Sequence, residues 1–470
     1  MDQTELCYQP ATELAAGVRA GDVSPTEVVD AFLGRIERVN PRLNAYCTVT
    51  ADRARDRAKA IEAALARGET VGPLAGVPVS IKDVLFTKGI RTTRGSLLYA
   101  DSVPTEDAPV VERLEAAGAI LLGKTNTPEF GWKATTDNRL FGPTRNPWNL
   151  SRTPGGSSGG AGAAVAAGLG PMAIGTDGGG SVRIPATFCG IFGLKATFGL
   201  VPAYPPSYAE ALSHTGPLTR TVRDAALMLN VIAGPDPRDR NSYPIGSADF
   251  LAGIDRGIAG LRVAWSPNLG HGLVASEALA SAERAARRFS ALGCAVEEAA
   301  PSVGDFDRPW QMLFYSAIAA GLEAQPAGWQ EKIDPGLLAL IQSIRGASAL
   351  DLAAAYQARA QISDAVRRFF ERYDLLLTPS FAVPPWPIDR DAASADTWPM
   401  AEETAQFTQL FNLTGQPAAT VPCGWTADGL PLGLQIVGRR HEDALVLRAA
   451  AAFEALAPWG ERRPALDGAI

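Results

Sequence analysis

The sequence predicts an α/β fold, an open β-sheet with helices on both faces. Three observations carry that reading. Residues 74–86 alternate with a period of two, residues 109–118 then read as a helix, and the apolar run 119–122 follows as a buried strand. A second βαβ-like unit appears later, with strands at 261–265 and 295–298 flanking a helical 276–292. Finally, a short strand at 172–175 delivers a glycine-rich loop, a common way for a sheet to present chemistry.

Taken in order, residues 10–66 read as helices. Ser24-Pro25-Thr26-Glu27 is a start signal with proline at the first helical position, and Ala31, Phe32, Ile36 and Val39 mark an apolar face. In the first strand Val77, Val79 and Ile81 alternate with Pro78, Ser80 and Lys82, and Pro78 predicts an edge or a strand start. Residues 161–169 form a helix of almost only small side chains, able to approach another backbone closely. Residues 305–373 are mostly helical, and 375–377 returns to the sheet. Residues 420–421 and 434–437 flank the turn Thr426-Ala-Asp-Gly429 as a hairpin. With no internal repeat and no long polar linker, the expectation is one domain over 1–470.

Composition narrows the function. The 470 residues are 46 % hydrophobic and 20 % charged, as expected of a globular protein with a large core. The net charge is −7 and there is no Lys/Arg block, so a nucleic-acid partner is not expected. The most apolar run, 161–174, is shorter than the ~20 residues of a membrane span and contains Pro171. The first residues lack the basic segment of a secretory signal. Five scattered cysteines without a Cys-x-x-Cys pair argue for reduced thiols in a cytoplasm, not for a disulfide or zinc framework.

Two serines stand in glycine nests, Ser157 in Gly155-Gly-Ser-Ser-Gly-Gly160 and Ser181 in Gly175-Thr-Asp-Gly-Gly-Gly-Ser181. Glycine lets successive N–H groups turn inward toward an anion. Ser157 and Ser158 are equally suited to capping the helix that follows, and Ser181 to a turn. Those roles leave the glycines unexplained. The backbone N–H groups of Gly178, Gly179, Gly180 and Ser181 can converge as an oxyanion hole. Lys82, taken alone, reads as a surface lysine; buried until its neutral form is populated, it would act as a base toward a serine. A nucleophile-elbow reading competes, because Gly155-Gly-Ser157-Ser-Gly159 is followed in order by Asp428 and His441. The elbow needs a strand before it, whereas residues 146–154 read as a loop, and none of His214, His271 and His441 lies near a glycine nest in sequence. Neither loop has a nucleotide-binding pattern, and no metal-ligand spacing is present.

From about residue 10 to 465 the chain resembles the amidase signature family, serine hydrolases acting on carbon–nitrogen bonds. The match is densest over 72–202 and 417–438. It rests on Gly76-Val-Pro-Val-Ser-Ile-Lys82-Asp, Gly123-Lys-Thr-Asn-Thr-Pro-Glu-Phe130, Thr144-Arg-Asn-Pro-Trp148, the Ser157 loop, and Gly175 to Pro185. The resemblance implies a central twisted mixed β-sheet flanked by α-helices, with a signature core at about 72–202. It also implies a more variable helical pocket region at about 300–373. It assigns Ser181 as nucleophile, Ser157 as a bridging serine behind a cis peptide bond, and Lys82 as base. Asp177 and Arg183 would brace the nucleophile loop as an ion pair, and Ser158 would support the lysine–serine contact. Where the family commonly has a larger residue after Asp177, this chain has Gly178, which predicts a looser loop.

The implied enzyme works on a small-molecule amide and water, without cofactor or metal, as a monomer or homodimer. Gly131, Trp132, Tyr204, Tyr208, Trp310, Phe314, Tyr315, Trp329 and Phe381 are pocket candidates, although aromatic residues more often fill cores. No Arg/Lys cluster marks the pocket region, which points to a small or aryl, mainly apolar amide. Anilides, esters and carbamates share the acyl chemistry. The alternative within the resemblance is the glutaminase-like subunit of a tRNA-dependent amidotransferase; a scaffold protein that has lost catalysis fits poorly with the complete Lys/Ser/Ser set.

Overall fold

A computed structural model describes residues 2–246, 248–270, 272–390 and 406–466. Its frame is a mixed sheet whose strands, in chain order, are β1 (Tyr46–Val49), β2 (Pro78–Lys82), β3 (Ile120–Thr125), β4 (Met172–Asp177), β5 (Phe192–Lys195), β6 (His214–Thr219), β7 (Arg262–Trp265), β8 (Ala295–Glu298), β9 (Leu375–Pro379), β10 (Ala418–Trp425) and β11 (Pro431–Gly438). Across the sheet the order is β1-β3-β2-β4-β6-β5-β10-β11-β9-β7-β8. The trios β3-β2-β4 and β8-β7-β9 are parallel, as both βαβ readings require. Antiparallel strands join them.

Local signals explain several elements. Ser24 and Glu27 form a reciprocal capping box at the start of the helix Pro25–Leu43, which buries Phe32, Ile36 and Val39. The β10–β11 hairpin closes around Thr426–Gly429. Pro78 does begin β2, but not at an edge. The strand lies between β3 and β4, so Ser80 and Lys82 are as buried as Val79 and Ile81. The alternation therefore marks two covered faces rather than an apolar and a wet one.

The helix Gly159–Ala166 is buried throughout and reaches its neighbours by backbone. A Cβ at Gly160 would stand 2.4 Å from the Asn126 nitrogen. A second apolar cluster unites the helices Asp307–Glu323, Pro335–Ile344 and Ala349–Arg372 with Gln406–Thr414. It includes Ile184 and Phe188, and so places the helical region against the short helix Arg183–Cys189 that follows β4 and the glycine loop. Among the described residues no single helix is long and apolar enough to cross a membrane.

Candidate active site

Three parallel strands end together, and the site lies just beyond their C-terminal ends. Lys82 closes β2, Phe130 and Gly131 follow β3, and Thr176 and Asp177 end β4 ahead of Ser181. The Lys82 side chain is fully buried; its Nζ donates to Ser157 Oγ at 2.7 Å and to Thr176 Oγ1 at 2.9 Å. Burial lowers its pKa to about 7, even though the negative charge of Asp177 works in the opposite direction. The peptide bond between Gly156 and Ser157 is cis.

Ser157, Thr176, Gly178 and Ser181 share one cavity of about 110 Å³. No hydrogen bond joins the Ser157 and Ser181 hydroxyls. The N–H groups of Gly178, Gly179 and Ser181 have no acceptor among the described residues. Gly180 differs from the expectation, because its N–H donates to Asp177 Oδ1 at 2.7 Å and is not available to a ligand.

Asp177 holds this loop from behind. Arg183 donates to both carboxylate oxygens, at 3.0 and 2.9 Å, and neither side chain is exposed. Burial would raise the Asp177 pKa, but the Arg183 charge and its hydrogen bonds hold it well below the usual carboxylate range. Arg183 also donates to Gln435 and Asn412, and Asn412 donates back to Asp177. Ser158 acts at one remove: its hydroxyl donates to the Thr176 carbonyl and accepts from the Thr176 N–H. It thereby fixes the residue whose own hydroxyl meets Lys82.

The loop is not slack at Gly178. A Cβ there would lie 2.9 Å from the Phe314 ring, so this ring occupies the room a larger side chain would need. Trp310 Nε1 donates to the Gly178 carbonyl at 2.9 Å, and Thr408 Oγ1 to that of Gly179 at 2.6 Å. These clamps were not visible in the sequence. Thr176 had a signal, standing inside the second glycine loop, and Trp310 was a pocket candidate rather than a clamp; Asn412, Gln435 and Thr408 come from distant segments with none.

Gly131, Phe314, Tyr204 and Tyr208 line the cavity. Five of the expected pocket residues do not, among them Trp310, whose indole nitrogen is spent on the Gly178 carbonyl. Phe381 packs its ring against Phe188 and Trp386 in the core. Trp132 lies against Gly336 of the helix Pro335–Ile344, and Tyr315 stands edge-on behind Trp310 and Phe314. Trp329 is core as well. The elbow residues do not meet: His441 is exposed and contacts the Tyr243 hydroxyl, while Asp428 accepts from Thr426. His214 is buried against the Asp177 and Leu212 carbonyls, and His271 lies outside the described residues.

The Amidase family model matches residues 27–447. The chain belongs to the amidase signature family. It is an amidohydrolase acting on carbon–nitrogen bonds other than peptide bonds. It is 41 % identical to an acylamidase of Rhodococcus erythropolis, over 99 % of each chain. It is 39 % identical to a glutamyl-tRNA(Gln) amidotransferase subunit of Moorella thermoacetica, over 98 % of this chain and 99 % of the relative. A solved bacterial aryl acylamidase of the same family superposes with a TM-score of 0.91 at 34 % identity, covering 96 % of this chain and 97 % of its own.

Proposed function

We propose that this amidase cleaves small or aryl, mainly apolar amides through an acyl-enzyme on Ser181, with Ser157 and Lys82 as proton relay. The observation that carries this reading is the 2.7 Å contact between a fully buried Lys82 Nζ and Ser157 Oγ. An amine with a pKa of about 7 is substantially neutral at pH 7, and its lone pair then accepts the Ser157 proton over that same contact.

Ser181 Oγ attacks the amide carbon as its proton passes to Ser157, and the Ser157 proton passes to Lys82. The carbonyl oxygen becomes an oxyanion that accepts from the N–H groups of Gly178, Gly179 and Ser181. The ammonium of Lys82 then returns its proton through Ser157 to the leaving nitrogen, the C–N bond breaks, and the amine departs. Water attacks the Ser181 ester by the same relay, releasing the acid and restoring the serine. The Ser157–Ser181 contact closes on substrate binding, when such bonds commonly tighten. One domain spanning 1–470 carries the whole reaction.

Apolar walls from Phe86, Phe130, Phe314 and Ile318 support an apolar substrate, and so do the acylamidase and aryl acylamidase relatives. Esters and carbamates fit the same acyl chemistry. Ser181→Ala is expected to abolish hydrolysis of a simple anilide. Full activity in Lys82→Ala, with loss in His441→Ala, would sink the relay and restore the elbow. The 39 % identity to an amidotransferase subunit favours a second reading, a glutaminase-like subunit. Anilide hydrolysis by the purified chain, without partner subunits or ATP, excludes it.

A further inference from the structure

The cavity wall contains one charged side chain, Arg94, among the described residues that line it; Lys82 lies behind the Ser157 hydroxyl. The neighbouring walls, Phe86, Phe130, Tyr208, Phe314 and Ile318, are aromatic or aliphatic. The guanidinium carbon of Arg94 sits 4.7 Å from the Tyr99 ring centroid and 5.1 Å from that of Phe86. Two aromatic rings hold the cation in place without neutralising it. No carboxylate among the described residues forms an ion pair with it, unlike Arg55, Arg223 and Arg240, which each find one on this surface.

The backbone is arranged to put it there. Arg94 has a φ of 56° and Phe130 a φ of 52°, a left-handed conformation that side chains rarely adopt. The pair is locked: the Arg94 N–H donates to the Asp83 carbonyl at 2.9 Å, and the Phe130 N–H donates to the Arg94 carbonyl at 2.8 Å. Such outliers persist where surrounding contacts impose them, and they gather at ligand sites. A half-buried cation in an apolar wall, oriented and without a carboxylate partner, is suited to a planar anion.

We propose that the preferred substrates are apolar amides that also carry a carboxylate, and that Arg94 receives this carboxylate while the scissile carbonyl lies at Ser157 and Ser181. The inference rests on the amidase reading above and names its substrate class. A single cation sets a limit of one charge, consistent with the absence of any basic cluster.

Two substrate pairs test it. Glutaranilate against valeranilide places the charge on the acyl arm; 4-acetamidobenzoate against 4-methylacetanilide places it on the amine arm. The expected result is a charged-to-neutral kcat/KM ratio of about tenfold or more in one pair, carried by KM. Arg94→Met should bring the ratio near one, and Arg94→Lys should restore part of it. A wild-type ratio at or below one in both pairs overturns the proposal. So does a ratio that survives Arg94→Met, which would leave Arg94 as an aromatic-wall residue that stacks on aryl groups. Calorimetric Kd values for the same compounds on Ser181→Ala separate the two levels. Failure of hydrolysis with retained binding preference counts against the acyl-enzyme, not against Arg94; equal Kd values within each pair count against Arg94.

Discussion

Lys82 and Lys124 sit on neighbouring parallel strands, both without exposure, and burial lowers both pKa values, to about 7 and about 8. Lys124 is registered against Ile81, so it leaves the sheet on the face opposite to Lys82. There it donates to the Leu85 carbonyl and to the Thr87 and Thr92 hydroxyls, and ties down the loop after β2. Lys82 instead donates to two hydroxyls that border a cavity. A buried amine with a lowered pKa therefore occurs twice within two strands. What separates a base from a structural tie is whether its acceptors can pass a proton on to something that enters from outside.

The largest effect expected from this contrast lies in substituting each lysine. Lys82→Ala should lower kcat on an anilide by about 10³-fold, within the range of lost general-base catalysis. Lys124→Met should leave the folded enzyme active but lower its unfolding free energy by about 1–3 kcal/mol, because three oxygens lose their donor in a dry site. Turnover and urea titration on both variants check the pair. An inactive but fully stable Lys124→Met would erase the distinction.

The pH profile is the next discriminator. The neutral form of Lys82 predominates above its pKa, so kcat/KM should fall about tenfold per pH unit below about 7 and level off above it. Lys124 should add no limb near 8, since nothing reaches it. Glu129 needs separate treatment: burial pushes its pKa up to about 7 as well, and it stands next to Phe130 and Gly131. One carboxylate oxygen accepts from the Asp334 N–H, and Glu129 is not among the residues that line the cavity with the serines. Glu129→Gln should therefore keep the acid limb where it is. A limb that vanishes with Glu129 would move the titrating group away from Lys82.

Much of this was legible in the sequence where chemistry restricts residue type. The glycine loops and the small-residue helix announce themselves because larger residues would not fit, and Ser24-Pro25 announces a helix start. Among the parallel strands, β3 and β9 were readable as short apolar runs, β2 by its alternation, and β7 and β8 by the helix between them. β6 was not: His214-Thr-Gly-Pro-Leu-Thr219 contains the residues that argue against a strand, and only its place between β4 and β5 makes it one. β1, four residues between helices, was absorbed into a helical reading. The supports of the site lay outside any local pattern. Asn412 reaches Asp177 across 235 positions, and Arg94 follows a strand by a dozen residues with no periodic signal. Phe381 was misplaced because an aromatic residue near the right loop carries no sign of which way it faces.

The smallest expected effect concerns the second acceptor of Lys82. Thr176 Oγ1 accepts from Nζ at 2.9 Å, an interaction that favours the ammonium over the amine. Thr176→Val keeps the shape and removes that acceptor. Ser158 holds only the backbone of this residue, so its two hydrogen bonds to Thr176 survive the change. The midpoint of the acid limb should then move to lower pH by less than about one unit, with a plateau kcat/KM reduced less than about tenfold. A midpoint that moves to higher pH has the opposite meaning. The threonine hydroxyl would then be donating to a neutral amine, and Lys82 would hold its free base with one more proton donor than Ser157 alone supplies.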